Sequence, residues 1–386
     1  MKDYLKQQFQ ITYQEEADCF LSCGGRFEIL GNHTDHNRGL CLAATCNLSE
    51  YIAVKKRNDK IVHLLSEGYG NFETNLSSLD MNDNEKGGST AIVRGIAKCL
   101  NENGYKIGGF DAYVKSDVPS GAGVSSSAAF ELLIAEVFNE LFNEGKIPLL
   151  SLCKAGQFAE REYYGKACGL LDQIGVSFGG ISFIDFQDLT NPSITKLGMD
   201  LKDYQFMIVN TGGSHAELSH LYKAIPDQMF EVAGYFQKSY LRDVSYEELK
   251  KNKADVIEKC GKEAYQKAQH FFEENMRVEK AISALEKKDY EKLITLINKS
   301  RESSTKLLGN MYVDKIKGSP LEACRLIMKA SHQKAGVKIN GGGFAGSVIA
   351  LVPSKEVDNV KKAVKEKYGK ENVYLIEIRN EEISKL

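Results

Sequence analysis

Apolar residues recur at two different periods along this chain. Between 110 and 118 the alternate positions Phe110, Ala112, Val114, Ser116 and Val118 share one face, which is the pattern of a half-buried strand. Directly after it, Ser126 to Asn143 carries Ala129, Leu132, Leu133, Val137, Leu141 and Phe142 at helical spacing. From Tyr246 to Leu308 the chain is rich in Glu, Lys, Ala and Leu, which predicts long amphipathic helices. Near the end, Lys338 to Pro353 reads as a Gly-rich turn followed by the apolar strand Ser347-Val348-Ile349-Ala350-Leu351-Val352. Strands and helices occur in both halves without the regular alternation of a doubly wound sheet. The pattern predicts an α+β fold in two domains.

Composition narrows the partners. The chain of 386 residues is long for one domain, and no repeat, low-complexity stretch or Pro-rich linker divides it. A net charge of −2 leaves no basic field for nucleic acid or an anionic membrane. No apolar run approaches the roughly 20 residues of a membrane span, and the start Met1-Lys2-Asp3-Tyr4 lacks the apolar core of a signal peptide. The nine cysteines form no paired framework, and neither Cys19/Cys23 nor Cys41/Cys46 has a second pair nearby to complete a zinc site. They read as reduced and mostly buried, as expected of a cytoplasmic protein. Small molecules are the expected partners, and a monomer the expected state.

Three stretches carry candidate chemistry. Pro119-Ser120-Gly121-Ala122-Gly123-Val124-Ser125-Ser126-Ser127-Ala128-Ala129 joins the predicted strand to the predicted helix. Its glycines let the backbone approach a ligand closely, and its serines sit where their hydroxyls can cap the helix. The first amides of that helix, with its dipole, suit the phosphates of ATP. No Gly-Lys-Ser/Thr follows, so it is not a Walker A loop, and serine stands at the third glycine of the dinucleotide fingerprint. A capped helix after an ordinary turn is the plainer reading of the same residues. Gly25 to Asn37 packs Arg26, His33, Asp35 and His36 into a short stretch, the groups a site uses to bind several sugar hydroxyls at once. A polar turn, or a His33/His36/Asp35 metal cluster, is the competing reading. Lys338-Ile339-Asn340-Gly341-Gly342-Gly343-Phe344-Ala345-Gly346-Ser347 marks a third place where backbone must approach a ligand or another strand.

In this order the three motifs resemble the galactokinase branch of the galacto-, homoserine, mevalonate and phosphomevalonate kinase superfamily. The early motif is similar to Gly-Arg, three residues, Ile-Gly-Glu-His-Thr-Asp-Tyr-Asn, the middle loop to Pro-x-Gly-x-Gly-x-Ser-Ser-Ser-Ala, and the third to Gly-Gly-Gly-Phe-Gly-Gly. The likeness runs from about residue 20 to about residue 355. It implies a two-domain fold with the active site in the cleft between domains, one spanning 1–190 and a ferredoxin-like one spanning 191–386. It implies Asp172 and Arg26 as the catalytic pair, with Asn32, His33, Asp35, Gly169 and Tyr222 at the sugar. Gly121, Ala122, Gly123, Val124, Ser125, Ser126 and Ser127 would bind ATP, and Ser127 with Glu160 would place Mg²⁺.

The expected reaction is phosphorylation of the anomeric hydroxyl of galactose. A sister kinase acting on galacturonate, an N-acetylhexosamine or arabinose is the first alternative, and a sugar sensor without turnover the second. Three departures from the family pattern bear on the sugar. Asn32 replaces Glu, His36 replaces Tyr, and Tyr222 is followed by Lys223-Ala224-Ile225-Pro226-Asp227 in place of the usual arginines. Restoring Glu at position 32 is expected to tighten galactose. His63, His215, His220, His270 and His332 lie outside every motif and read as surface or structural residues.

Overall fold

The computed structural model describes every residue except 119–121, 167, 214–217 and 314–317, together with the side chain of Ser219. The first strands in chain order are β1 (Cys19–Leu30), β2 (Leu40–Lys56), β3 (Ile61–Ser66), β4 (Gly70–Asn75) and β5 (Phe110–Ser116). They are followed by β6 (Ile181–Asp185), β7 (Ser193–Leu197), β8 (Tyr204–Asn210), β9 (Gly336–Ile339), β10 (Ser347–Pro353), β11 (Val373–Ile376) and β12 (Ser384–Lys385). The helices in the first half are α1 (Lys2–Tyr13), α2 (Ser89–Glu102), α3 (Ser126–Asn143), α4 (Leu149–Phe158) and α5 (Leu171–Ser177). Those in the second are α6 (Ser219–Tyr235), α7 (Tyr246–Lys251), α8 (Lys253–Cys260), α9 (Lys262–Glu286), α10 (Tyr290–Ser303), α11 (Pro320–Ala330) and α12 (Val357–Tyr368).

Two sheets organise these elements. The larger runs β12-β1-β2-β5-β3-β4, with β6 on the same flank of β2 as β5, opposite β1, and β7 on β6. Its frame is the long antiparallel pair β1/β2, bulged at Gly24/Gly25 and at Glu28/Leu30. Opposite β1, the 17-residue β2 serves two further neighbours, pairing through Leu40–Ala44 with β6 and through Glu50–Lys56 with β5. The helix predicted at Ser126–Asn143 forms over that span as α3. Its Leu132, Leu133 and Val137 pack with Cys23, Ile52 and Val114 of the sheet.

The smaller sheet runs β11-β8-β10-β9, entirely antiparallel. The order of elements around it is strand, helices, two strands, helix, strand, a ferredoxin-like path. Its two faces have different partners. Val348, Ala350 and Met207 pack with Ile327 of α11 and Val360 of α12. Phe206, Ile208 and Ile349 share a core with Phe27, Leu30 and Leu42 of the larger sheet and Val278 of α9.

The strand pairing of the first sheet extends past residue 190. β7 lies beyond it yet is the antiparallel partner of β6, and the chain end returns so that β12 pairs with β1. Residues 193–197 and 384–385 therefore belong to the first sheet. The two sheets also share an apolar core, with the rings of Phe27 and Phe206 4.6 Å apart. Among the described residues no helix is long and apolar enough to cross a membrane. All nine cysteines are free thiols.

Candidate active site

Arg26 lies in the middle of β1, and Asp172 in the first turn of α5. The fold brings them together: Arg26 Nε donates to Asp172 Oδ1 at 2.8 Å. The arginine is buried, whereas the Asp172 side chain keeps 33% of its exposure, so the carboxylate alone faces outward. Burial pushes the Asp172 carboxyl up, but the Arg26 charge, its hydrogen bond and the Ser125 hydroxyl outweigh it and hold the group below the usual carboxylate range. Asp172 is therefore an ionised acceptor at neutral pH.

The Gly/Ser loop before α3, the expected phosphate loop, is built around the same pair. Arg26 Nη1 donates to the carbonyl of Gly123 at 2.7 Å, and the Arg26 backbone N–H donates to Val124 O at 2.9 Å. The side chains of Ala122 and Val124 are buried in the shared core, so these residues offer a ligand backbone only. Gly123 has φ 73°, and a Cβ there would lie 2.1 Å from Ser347 Oγ at the start of β10. Only glycine lets the loop lie that close to the Gly-rich turn. Ser126 and Ser127 are exposed on the first turn of α3, whose leading amides have no intrahelical acceptor. Gly121 lies outside the described residues.

The cap expected of these serines is not made. Ser125 holds the N-cap position of α3 without a side-chain cap bond, a bond ordinarily worth about 1 kcal/mol. Its hydroxyl instead donates to Asp172 Oδ2 at 2.6 Å. It does so from a left-handed backbone, φ 56° and ψ 54°, which costs a non-glycine residue roughly 1–2 kcal/mol.

The early motif splits into two layers. Asp35 stands on a short helical turn, Asp35–Asn37, against the turn before α5. A Cβ on Gly169 would lie 2.0 Å from Asp35 Oδ2, so Gly169 is where that turn makes room for the carboxylate. Burial, with the charges of Asp172 and Glu28 adding, pushes the Asp35 carboxyl up to about 6. His33 Nε2 lies 2.7 Å from Gly342 O. A carbonyl can only accept, so Nε2 carries the proton. Burial lowers the His33 pKa and keeps the ring neutral, which leaves Nδ1 bare as an acceptor. Tyr222, on α6, donates its hydroxyl to Gly343 O at 2.6 Å, and a Cβ on Gly342 would meet its ring at 2.4 Å.

Asn32 belongs to the deeper layer. It is 1% exposed. Its Nδ2 donates to Gly341 O at 2.7 Å and to Glu28 Oε2 at 3.3 Å, and its Oδ1 accepts from Asn310 Nδ2 at 2.9 Å. Its backbone carbonyl accepts from His270 Nε2 at 2.9 Å. Every polar atom that sequence reasoning offered to a sugar is bonded to protein. Glu28 in turn pairs with Lys338 at 2.6 Å, the two being 3% and 0% exposed.

Glu160 lies on the π-helical turn Ala159–Tyr164 and is buried. Its Oε1 accepts from Lys166 Nζ at 2.5 Å and its Oε2 from Gln173 Nε2 at 3.1 Å. Gln173 Nε2 also donates to Glu131 Oε2 at 2.8 Å. Glu131 is one helical turn after Ser127 on α3, on the same face, so Gln173 ties Glu160 to the helix that carries Ser127. Sequence reasoning missed two residues of this cluster, Lys166 and Glu131. The Glu131 carboxyl is pushed well up by burial and by the Glu160 charge, and its Oε1 is buried without a partner.

Sequence reasoning also missed Asn340. Its Nδ2 donates to Gly123 O at 2.9 Å and its Oδ1 accepts from the Glu28 N–H at 3.0 Å. One amide thus bolts the Gly-rich turn to both the phosphate loop and β1. A polar residue at the mouth of that turn was the available signal. His270, set aside as structural, is fully buried under the sugar motif and holds Asn32 in place.

Comparison with known proteins places this geometry. The model of the GHMP kinases N terminal domain matches residues 91–180, which include the phosphate loop and Asp172. The galactokinase galactose-binding signature matches residues 7–56, which include Arg26 to Asp35. A galactokinase from Thermotoga neapolitana is 30% identical over 345 residues, 89% of this chain and 92% of that one. A galactokinase from Clostridium tetani is 29% identical over 372 residues, 95% of this chain and 92% of that one. The structure of Lactococcus lactis galactokinase complexed with galactose superposes over the whole of both chains, with a TM-score of 0.86 and 27% identity.

Proposed function

This chain belongs to the galactokinase family and is a sugar kinase, and from that premise we propose that it transfers the γ-phosphoryl group of ATP to the anomeric hydroxyl of galactose. The observation that carries the proposal is the Arg26–Asp172 pair, set between the phosphate loop and the sugar motif with its carboxylate outward.

Phosphoryl transfer asks for in-line positioning and charge stabilisation more than for covalent chemistry. His33 Nδ1, the Asp35 carboxylate and Tyr222 hold the sugar. Asp172 accepts the proton of the anomeric hydroxyl as that oxygen bonds to the γ-phosphorus and the bond to the ADP oxygen breaks. Arg26 keeps Asp172 ionised and offers positive charge to the phosphoryl oxygens. The amides of Ala122 to Ser127 receive the phosphates at the N-terminus of α3.

Mg²⁺ is usually held by one or two carboxylates together with substrate phosphates, and the Glu160 carboxylate with the exposed Ser127 hydroxyl is a donor set of that kind. When bound it would neutralise phosphate charge. Lys166, which now holds Glu160 Oε1, would have to share that oxygen.

Asn32 supports the structure beneath the sugar in this reading, so its departure from the family Glu does not select among sugars. Nine free thiols fit a reducing, cytoplasmic compartment. The test is phosphorylation of a panel of free aldoses and uronic acids with Mg²⁺-ATP. Galactose is expected to give the highest kcat/KM; a uronate or N-acetylhexosamine as the better substrate, or no turnover with any sugar, would overturn the proposal.

A further inference from the structure

We infer that Ser125 is a positioning residue for Asp172, its hydroxyl tying the orientation of the base to the seated form of the phosphate loop rather than binding the phosphates. The inference rests on the reading of Asp172 as base, and three features of one residue carry it.

The first is the grip on the carboxylate. Arg26 Nε takes Oδ1 at 2.8 Å from β1, and Ser125 Oγ takes Oδ2 at 2.6 Å from the loop. A carboxylate anchored at one oxygen swings about that bond, whereas anchors at both oxygens fix its plane. Each oxygen retains a further lone pair, so a sugar hydroxyl still finds an acceptor.

The second is the cap that is not made. A serine at the head of an 18-residue helix ordinarily turns its hydroxyl back to an amide of the first turn. Ser125 does not. The first amides of α3 stay open toward a phosphate, and the hydroxyl serves the carboxylate.

The third is the backbone. At φ 56° and ψ 54° glycine would be at ease and serine is not. Such strain persists only where the surroundings hold it, and it gathers at functional sites. Here the two preceding residues are pinned. Gly123 O accepts from Arg26 Nη1 and Asn340 Nδ2, and Val124 O accepts from the Arg26 N–H. The aim of Ser125 at Asp172 is therefore set by the seating of the loop, the same element that receives the nucleotide.

Ser125→Gly and Ser125→Ala test this. Both are expected to lower kcat about 10-fold, the effect of losing one hydrogen bond to a charged group. KM for galactose and for ATP should each stay within about 2-fold. Ser125→Gly should melt at or above the wild-type temperature, because glycine relieves the left-handed backbone. In an Asp172→Asn background Ser125→Gly should change nothing further, since the hydroxyl acts only through the carboxylate. A large rise in KM for ATP with kcat kept would give the hydroxyl to the phosphates and overturn the inference, as would an additive loss in the double variant. Wild-type kcat in Ser125→Gly beside an inactive Asp172→Asn overturns this inference alone; wild-type turnover in Asp172→Asn overturns the base and this inference with it.

Discussion

Arg26 and Asn32 stand six residues apart in one motif, yet they sit in regions of opposite character. Around Arg26 the groups converge on a carboxylate that faces outward and keeps lone pairs in reserve. Around Asn32 they turn toward one another: Glu28, Lys338, Asn310 Nδ2 and the carbonyls of Gly341 and Gly342 bond within the cluster, and Asn310 Oδ1 is buried there without a partner. The first region is arranged to meet a reactant. The second joins β1 to the Gly-rich turn before β10, and so holds the two sheets in register at the site. A motif residue is therefore assigned to a ligand by what its polar atoms have left to offer, and sequence position alone does not tell.

The contrast breaks most sharply at Asp172. Asp172→Asn keeps the shape, and its remaining oxygen can still accept from Arg26, but it cannot take a proton. Turnover should fall by about 10²–10⁴-fold, with galactose affinity by calorimetry and the melting temperature little changed. In the closed region the expected loss is of stability. Lys338→Met leaves the Glu28 carboxylate buried without its partner, a change that typically costs about 3–5 kcal/mol. Chemical denaturation should register it, and adding Glu28→Gln should recover most of it. Full stability in Lys338→Met would mean that the pair does not join the sheets.

Asn32→Glu sharpens the comparison at the motif itself. The new carboxylate would lie beside Glu28 Oε2, now 3.3 Å from the Asn32 amide. Two buried like charges repel, so a loss of about 1–3 kcal/mol with no gain in galactose affinity is expected. Tighter galactose binding by calorimetry would show that position 32 faces the sugar after all.

The smallest effect is one of pH. The Asp35 carboxyl, raised to about 6, takes up a proton as pH falls through that value, while the depressed Asp172 stays ionised. kcat/KM for galactose should drop by roughly 10-fold between pH 7 and pH 5, one unit below that pKa, with kcat itself nearly flat. Asp35→Asn should remove the dependence, and a limb that survives it belongs to another group.

Much of this was legible in the chain. The period-3.6 spacing of Leu132, Leu133 and Val137 placed α3 at its observed span, and the alternation from Phe110 placed β5. The family resemblance that the three motifs carry implied Arg26 and Asp172 as a pair, and they lie 146 positions apart and meet at 2.8 Å. These features are readable because periodicity reports which face of an element is buried, and a motif reports residues that act over a few positions. The sheet membership of β7 was not readable: it is short and mostly exposed, and only pairing with β6 attaches it to the first sheet.

Tertiary structure alone decided the use of each polar atom. The Ser125 hydroxyl had a cap to make within its own helix and a carboxylate 47 positions away, and the bend of the loop over Arg26 chose the carboxylate. Asn340 finds Gly123 across 217 positions, and Lys338 finds Glu28 across 310, because the packing of Phe206 and Ile208 against Phe27 lays one sheet over the other. A hydrogen bond requires its partner within about 3 Å and in line. Local sequence controls that distance for neighbours on one element, whereas between elements it follows from how apolar faces come to rest on each other.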